Sequence, residues 1–168
     1  MKEATLIVPY YSQYDHITDI EWKPRACGIA ALSMLIAYHR KENISPDEVL
    51  ARALRINAFG PSGWVHDKLI EVANSFDVSI NRFDIKEYSD ERVLDFLDEA
   101  LERGMPVIVS VSRRFDEALR DKYHQVVIVG RHKKDYFYHD PEYTNAEGVG
   151  RVVSSETLLS FWRKLGLM

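Results

Sequence analysis

The apolar residues of the chain follow two periods, a helical one in the first hundred residues and a strand-like one after Met105. Residues 27–40 are apolar around nearly the whole circumference of a helix, which predicts a buried helix. Ser45 and Ser89 are typical helix N-caps, and Gly104 is placed to end a helix. Three further helices are therefore predicted, at residues 46–54, 65–75 and 89–104.

The second half of the chain favours strands. An extended segment at residues 5–11 and a short strand at 78–83 precede four predicted strands at 106–111, 124–130, 135–139 and 149–153. A last helix, capped by Ser154 or Ser155, is predicted to include Trp162. Helices first and mostly antiparallel strands afterwards predict an α+β fold.

Length and composition limit the classes of protein. The 168 residues contain no repeat or linker, so residues 1–168 are predicted to form a single domain. A net charge of −4 gives no reason to expect nucleic acid or an anionic membrane as a partner. The N-terminus lacks the apolar stretch of a signal peptide, and no uncharged apolar segment reaches the ~20 residues that span a bilayer. We therefore expect a cytoplasmic protein.

Cys27 is the single cysteine, which excludes an intramolecular disulfide and a thiolate-rich zinc site. No cofactor or metal is predicted. The thiol lies at the start of the buried helix, where the peptide dipoles stabilise a thiolate, so the position suits a nucleophile. Gly28 beside it would let a substrate backbone approach closely. The alternative is that Cys27 is a small buried apolar residue.

A thiolate nucleophile needs a histidine to carry the proton and a third group to orient the imidazole. The segments around His124 and Asp140 are predicted to form a hairpin centred on His132. A three-residue turn there would place His124 opposite Asp140, within hydrogen-bonding reach, and His139 would face the other way. The alternative is a structural histidine and an Asp-Pro turn.

Acyl transfer also needs hydrogen-bond donors for the oxyanion of the tetrahedral intermediate. The backbone N–H of Cys27 is one donor, and the side-chain amide of Gln13, upstream of the helix, is the candidate for the second.

Taken together, VPYYSQ, WKPRACGIAALSMLIAY, YHQVVIVG and FYHDP resemble the papain-like cysteine peptidases, in particular the bacteriocin-processing, double-glycine leader peptidase-like family. The resemblance implies a helical N-terminal part whose nucleophile helix packs on a C-terminal, mostly antiparallel sheet. It implies Cys27 as nucleophile, His124 as base and acid, Asp140 as orienting group and Gln13 in the oxyanion hole. The expected substrate is a peptide or protein, and the oligomeric state is left open.

Three alternatives stay open at this stage. The same groups catalyse acyl transfer and deamidation, and a papain-like module could bind peptides without turnover. The pairs His66-Asp67 and His139-Asp140 could belong to a metal-dependent phosphohydrolase, although no further ligands converge. A double-glycine leader is not predicted as the substrate, because the sequence lacks a membrane span and an ATP-binding loop. Other polar and aromatic residues are interpreted as solvated or packing side chains: Arg113, Arg114, Trp22, Trp64 and Tyr123.

Overall fold

The computed structural model describes residues 3–168. Within that range the helices are α1 (Cys27–Arg40), α2 (Pro46–Arg55), α3 (His66–Asn74), α4 (Asp90–Glu102) and α5 (Ser155–Phe161). No helix in the described part of the chain is long and apolar enough to cross a membrane.

A mostly antiparallel sheet fills the second half of the chain. The strands are β1 (Ala4–Thr5), β2 (Phe59–Gly60), β3 (Gly63–Trp64), β4 (Arg82–Asp84), β5 (Val107–Ser112), β6 (Tyr123–His132), β7 (Asp135–His139), β8 (Arg151–Ser154) and β9 (Trp162–Leu167). The large sheet has the order β4-β9-β5-β6-β7-β8, and β1 pairs with β6 beyond the end of β5. β2 and β3 form a separate hairpin. The predicted α+β fold is confirmed.

Helices cover both faces of the sheet. Because successive side chains on a strand point to opposite faces, neighbouring residues of one strand belong to different cores. In the paired strands β5 and β6, Ile108 and Val127 belong to the core under α1, α2 and α3. Their neighbours Val109 and Val126 belong to the core under α4 and α5. α1 lies between the sheet and α2, so it is buried on all sides, as its sequence predicts.

Local sequence signals account for the ends of two helices. The Ser45 hydroxyl accepts a hydrogen bond from the Glu48 N–H at the start of α2, and Ser89 accepts one from Arg92 at the start of α4. These caps satisfy backbone N–H groups that have no partner inside the helix. The strand expected at 78–83 is present only as the short β4.

The end of the chain differs from the prediction. α5 ends at Phe161, and Trp162 begins β9 instead of continuing the helix. β9 pairs with β5, where Trp162 lies opposite Val111. A Cβ atom on Gly166 would lie 1.9 Å from the carbonyl oxygen of Ile108, so only glycine allows this close pairing. Strand pairing and burial override the helical spacing of the segment.

Candidate active site

Cys27 is the first residue of α1 and follows the 3₁₀ helix Lys23–Arg25. The side chain is partly exposed and lines two adjoining clefts. Burial disfavours the thiolate, but the hydrogen bond and charge of His124 and backbone hydrogen bonds from Gln125 and Gly28 outweigh it. The pKa of Cys27 is therefore lowered from its ordinary value. The site favours the nucleophilic form of the thiol.

The imidazole of His124 lies between the thiol and a carboxylate. Its Nε2 atom is 2.6 Å from Oδ1 of Asp140, and both side chains are buried. A carboxylate only accepts, so Nε2 carries a proton and Nδ1 is the ring atom left for the Cys27 sulfur. Burial lowers the pKa of His124, but hydrogen bonds to Asp140 and Cys27 raise it more, to about 10. Both shifts act in the direction of a thiolate that faces an imidazolium.

The contact between His124 and Asp140 is present, but the register expected for the hairpin is wrong. A two-residue turn and a bulge in β6 place His139, the last residue of β7, opposite Val127. Asp140 therefore follows the end of the strand and reaches His124 from a turn. The irregular pairing, which an alternation argument does not contain, decides this position.

The turn that carries Asp140 is held from several directions. The N–H of Glu142 donates to Oδ1 of Asp140 at 3.0 Å, and the Asp140 N–H donates to the carbonyl of Gly148 at 2.8 Å. The Tyr10 hydroxyl lies 2.8 Å from the Asp140 carbonyl oxygen and 2.6 Å from that of Tyr143. A Cβ atom on Gly148 would lie 2.1 Å from the Asp140 carbonyl oxygen. These contacts fix the carboxylate before any substrate binds.

Gln13 lines the same cleft of about 340 Å³ as Cys27 and His124. It is 3% exposed, and its Nε2 atom donates to the carbonyl of Lys23 at 2.8 Å. The Gln13 backbone N–H donates to the Pro141 carbonyl at 2.8 Å, which ties this loop to the turn after β7. One amide hydrogen is therefore used within the protein, and the amide has a second to donate.

Glu142 is an acidic residue beside the histidine that the sequence analysis missed. It is 8% exposed, and its Oε1 atom accepts hydrogen bonds from the guanidinium groups of Arg113 and Arg114. Burial raises the pKa of Glu142, but the hydrogen bond from Arg113 and the charge of His124 outweigh this effect. The net pKa is lowered, so the side chain is ionised. Arg113 and Arg114 are therefore ion-pair partners of Glu142, whereas the sequence analysis interpreted them as solvated side chains. The only available signal was an acidic residue two positions after Asp140.

A second cleft of about 250 Å³ opens on the other side of Cys27. Trp22, Phe59 and Trp64 form an aromatic cluster there, with Phe59 and Trp64 ring centroids 5.0 Å apart. A Cβ atom on Gly28 would lie 2.8 Å from the Trp64 ring. Gly28 therefore serves the packing of Trp64, whereas the sequence suggested close approach of a substrate. Trp64 itself lines the cleft.

His139 and most of the potential metal-ligating atoms already bond to protein groups. His139 Nε2 donates to the Val8 carbonyl at 3.0 Å, and its Nδ1 accepts from Gly150 at 3.1 Å. Among residues 3–168 one set of three potential ligands lies within 4.8 Å: His124, Asp140 and Glu142. His124 and Asp140 bond to each other, and Oε1 of Glu142 accepts from two arginines, whereas Oε2 of Glu142 has no hydrogen-bond partner among the described residues. His66 does not belong to this set.

Comparison with known proteins gives the class. The sequence profile of the Peptidase_C39-like family matches residues 5–167, and the chain belongs to this family. It is accordingly a cysteine peptidase with the papain-like fold, as its sequence predicted. A search of curated proteins found no match.

Solved structures with the same fold span nearly the whole chain. A C39-like peptidase from Bacillus anthracis is 14% identical with a TM-score of 0.70, over 99% of this chain and 96% of that one. The peptidase domain of Streptococcus ComA, a bifunctional ABC transporter, is 22% identical with a TM-score of 0.61, over 90% and 94%. A double-glycine motif protease from an AMS/PCAT transporter, in complex with its leader peptide, is 16% identical with a TM-score of 0.62, over 100% and 97%.

Proposed function

We propose that the protein hydrolyses peptide bonds through a triad of Cys27, His124 and Asp140, with residues 1–168 as one domain. The observation that carries the proposal is the 2.6 Å contact between His124 Nε2 and Asp140, which leaves Nδ1 for the thiol. The lowered pKa of Cys27 supports the same assignment. The family membership makes a peptide the expected substrate.

In the first half of the reaction, the Cys27 thiolate attacks the substrate carbonyl carbon and forms a C–S bond. The oxyanion accepts hydrogen bonds from the backbone N–H of Cys27 and from the free hydrogen of the Gln13 amide. As the C–N bond breaks, His124 gives its Nδ1 proton to the leaving amine. A thioester remains on the enzyme.

In the second half, Nδ1 of His124 removes a proton from water, and the resulting hydroxide attacks the thioester. The C–S bond breaks, the thiolate returns and the acid product leaves. Asp140 accepts from Nε2 throughout, so Nδ1 stays the atom that exchanges the proton.

A proteome-derived peptide library, analysed by mass spectrometry, tests the proposal without a known substrate. Wild type should generate new termini, whereas Cys27→Ala and His124→Ala should reduce cleavage by roughly a thousandfold or more, because these groups act as a unit. His132→Ala, at a half-exposed histidine on the same strand, is the matched control and should cleave normally. Activity retained in Cys27→Ala would refute the proposal.

The same experiment separates the alternative chemistries. Hydrolysis adds the mass of one water across the broken bond, whereas transfer to an amine leaves a new amide, and deamidation changes a side chain without a new terminus. Binding without turnover would leave every peptide intact. Only the first outcome agrees with the proposed reaction.

A further inference from the structure

The two clefts beside Cys27 differ in charge. The cleft that contains Gln13 carries acidic and basic groups together: Arg113, Lys122, Asp121 and Glu142. The cleft on the Trp64 side carries Arg25 and Arg163 and no carboxylate among its lining residues. In a chain with a net charge of −4, a cleft whose charged side chains beside the thiol are arginines is a local departure from the overall charge.

Neither arginine is neutralised by a protein carboxylate. Within residues 3–168, Arg25 and Arg163 form no salt bridge, and both instead stack on aromatic rings. The Arg25 guanidinium carbon lies 5.5 Å from the Trp22 ring centroid, and that of Arg163 lies 4.0 Å from the Tyr123 centroid. Stacking orients a guanidinium but leaves its N–H donors free for an acceptor.

The remaining polar groups of the cleft fit an anionic guest. His66 is held neutral because burial and the charges of Arg82 and Arg163 lower its pKa. Its Nε2 atom lies 3.0 Å from Nε2 of Gln125, so the ring is fixed in the wall. Ser62 and Ser110 add hydroxyl groups, and no Asp or Glu side chain of the described residues lines the cleft.

We propose that this cleft selects peptides that carry an Asp or Glu side chain close to the scissile bond, with Arg25 and Arg163 as the specificity-determining residues. The inference rests on the proposed function for its substrate class. About 250 Å³ has room for one or two side chains, so the acidic residue lies within a few positions of the bond. The aromatic wall supports the apolar part of that side chain.

Alkylation of the single cysteine tests the charge preference without requiring turnover. N-iodoacetyl-glutamic acid α-amide and N-iodoacetyl-glutamine amide have nearly the same shape and differ by one charge. Wild type should react with the glutamate probe faster, and the ratio of the two rates should exceed that of an Arg25→Gln/Arg163→Gln variant about three- to fivefold. The ratio should fall with added salt, because exposed charges are screened.

The controls separate charge from structure. Arg103→Gln, at an exposed arginine on the far end of α4, should keep the wild-type ratio. An Arg25→Lys/Arg163→Lys variant keeps both charges and should also retain the preference. Equal rates for the two probes in wild type, or an unchanged ratio in the Gln variant, would overturn the inference.

The peptide library gives an independent second result. Cleavage sites of wild type should be enriched in Asp or Glu near the broken bond, and the enrichment should disappear in the Gln double variant. Cleavage without that enrichment would overturn the acidic preference alone. No cleavage at all would refute the proposed peptidase reaction, and the alkylation ratio would still decide the inference.

Discussion

Replacing Asp140 by Asn removes one negative charge from the buried, proposed triad while it keeps the size of the side chain. The amide oxygen of the variant can still accept from Nε2 of His124, so the orientation of the imidazole is preserved. The interaction is then no longer charge-assisted. Since Asp140 is 1% exposed and His124 is 6% exposed, water does not screen this loss.

The size of the effect follows from the hydrogen bond that is weakened. A hydrogen bond to a charged group contributes about 1.5–3 kcal/mol, roughly 1 kcal/mol more than a neutral one. If the bond is lost altogether in the transition state, kcat/KM falls by roughly 10- to 150-fold, and if a neutral bond remains, the loss is about fivefold. We therefore expect Asp140→Asn to cleave peptides about 5- to 100-fold more slowly.

The pH dependence gives the sharper assay. The thiolate and imidazolium coexist between the pKa of Cys27 and that of His124, which is raised to about 10. Without the Asp140 charge the imidazolium is less stable, so its pKa falls and that of Cys27 rises. Iodoacetamide labelling, followed by intact-mass measurement, should show that the Cys27 thiolate forms at a higher pH in the variant than in wild type. On the alkaline side of the pH profile, peptide cleavage by the variant should begin to decline at a lower pH than cleavage by wild type.

An exposed aspartate offers the matched control. Asp90, on the first turn of α4, forms a surface ion pair with Lys164, and Asp90→Asn makes the same chemical change away from the site. This variant should label and cleave like wild type. If Asp140→Asn also kept both pH midpoints and the wild-type rate, the assigned effect of the carboxylate on His124 would be wrong.

Three further changes test the surroundings of the site. Glu142→Gln removes the charge from a buried acid bonded to two arginines and should lower the free energy of unfolding by about 1–3 kcal/mol in urea; an unchanged midpoint would contradict this. Tyr10→Phe removes the hydroxyl that bonds the Asp140 carbonyl and should cost about 1 kcal/mol of stability by the same measurement, with a control at an exposed tyrosine. Gly28→Ala introduces a Cβ atom 2.8 Å from Trp64, so tryptophan fluorescence should shift and peptide cleavage should slow; normal values for both would show that the ring moves freely.

The sequence was sufficient for elements whose burial shows in their own residues. α1 has apolar side chains in nearly every direction, and the only stable place for such a helix is between a sheet and other helices. The serine caps defined the starts of α2 and α4 in the same local way. The position of Cys27 followed, since this residue begins a helix whose location was already determined.

The parts that failed depend on distant partners. Trp162 has apolar neighbours at helical spacing, and only pairing with β5 makes the segment a strand. The contact between His124 and Asp140 was expected from a symmetric hairpin, but a bulge and a turn produce it instead. Glu142 became visible only when the structure brought it to Arg113, because the two are 29 positions apart in the sequence.

The arrangement separates the proposed catalytic groups from the two arginines proposed to contact the rest of a substrate. Cys27 and His124 lie on α1 and β6, which pack directly against each other, so the core fixes their separation. Arg25 and Arg163 lie outside that core, on exposed positions of a 3₁₀ helix and of β9. A substitution at either arginine leaves the packing of α1 on β6 untouched, because neither side chain belongs to it. The substrate preference can therefore change while the distance between the thiol and the imidazole stays constant.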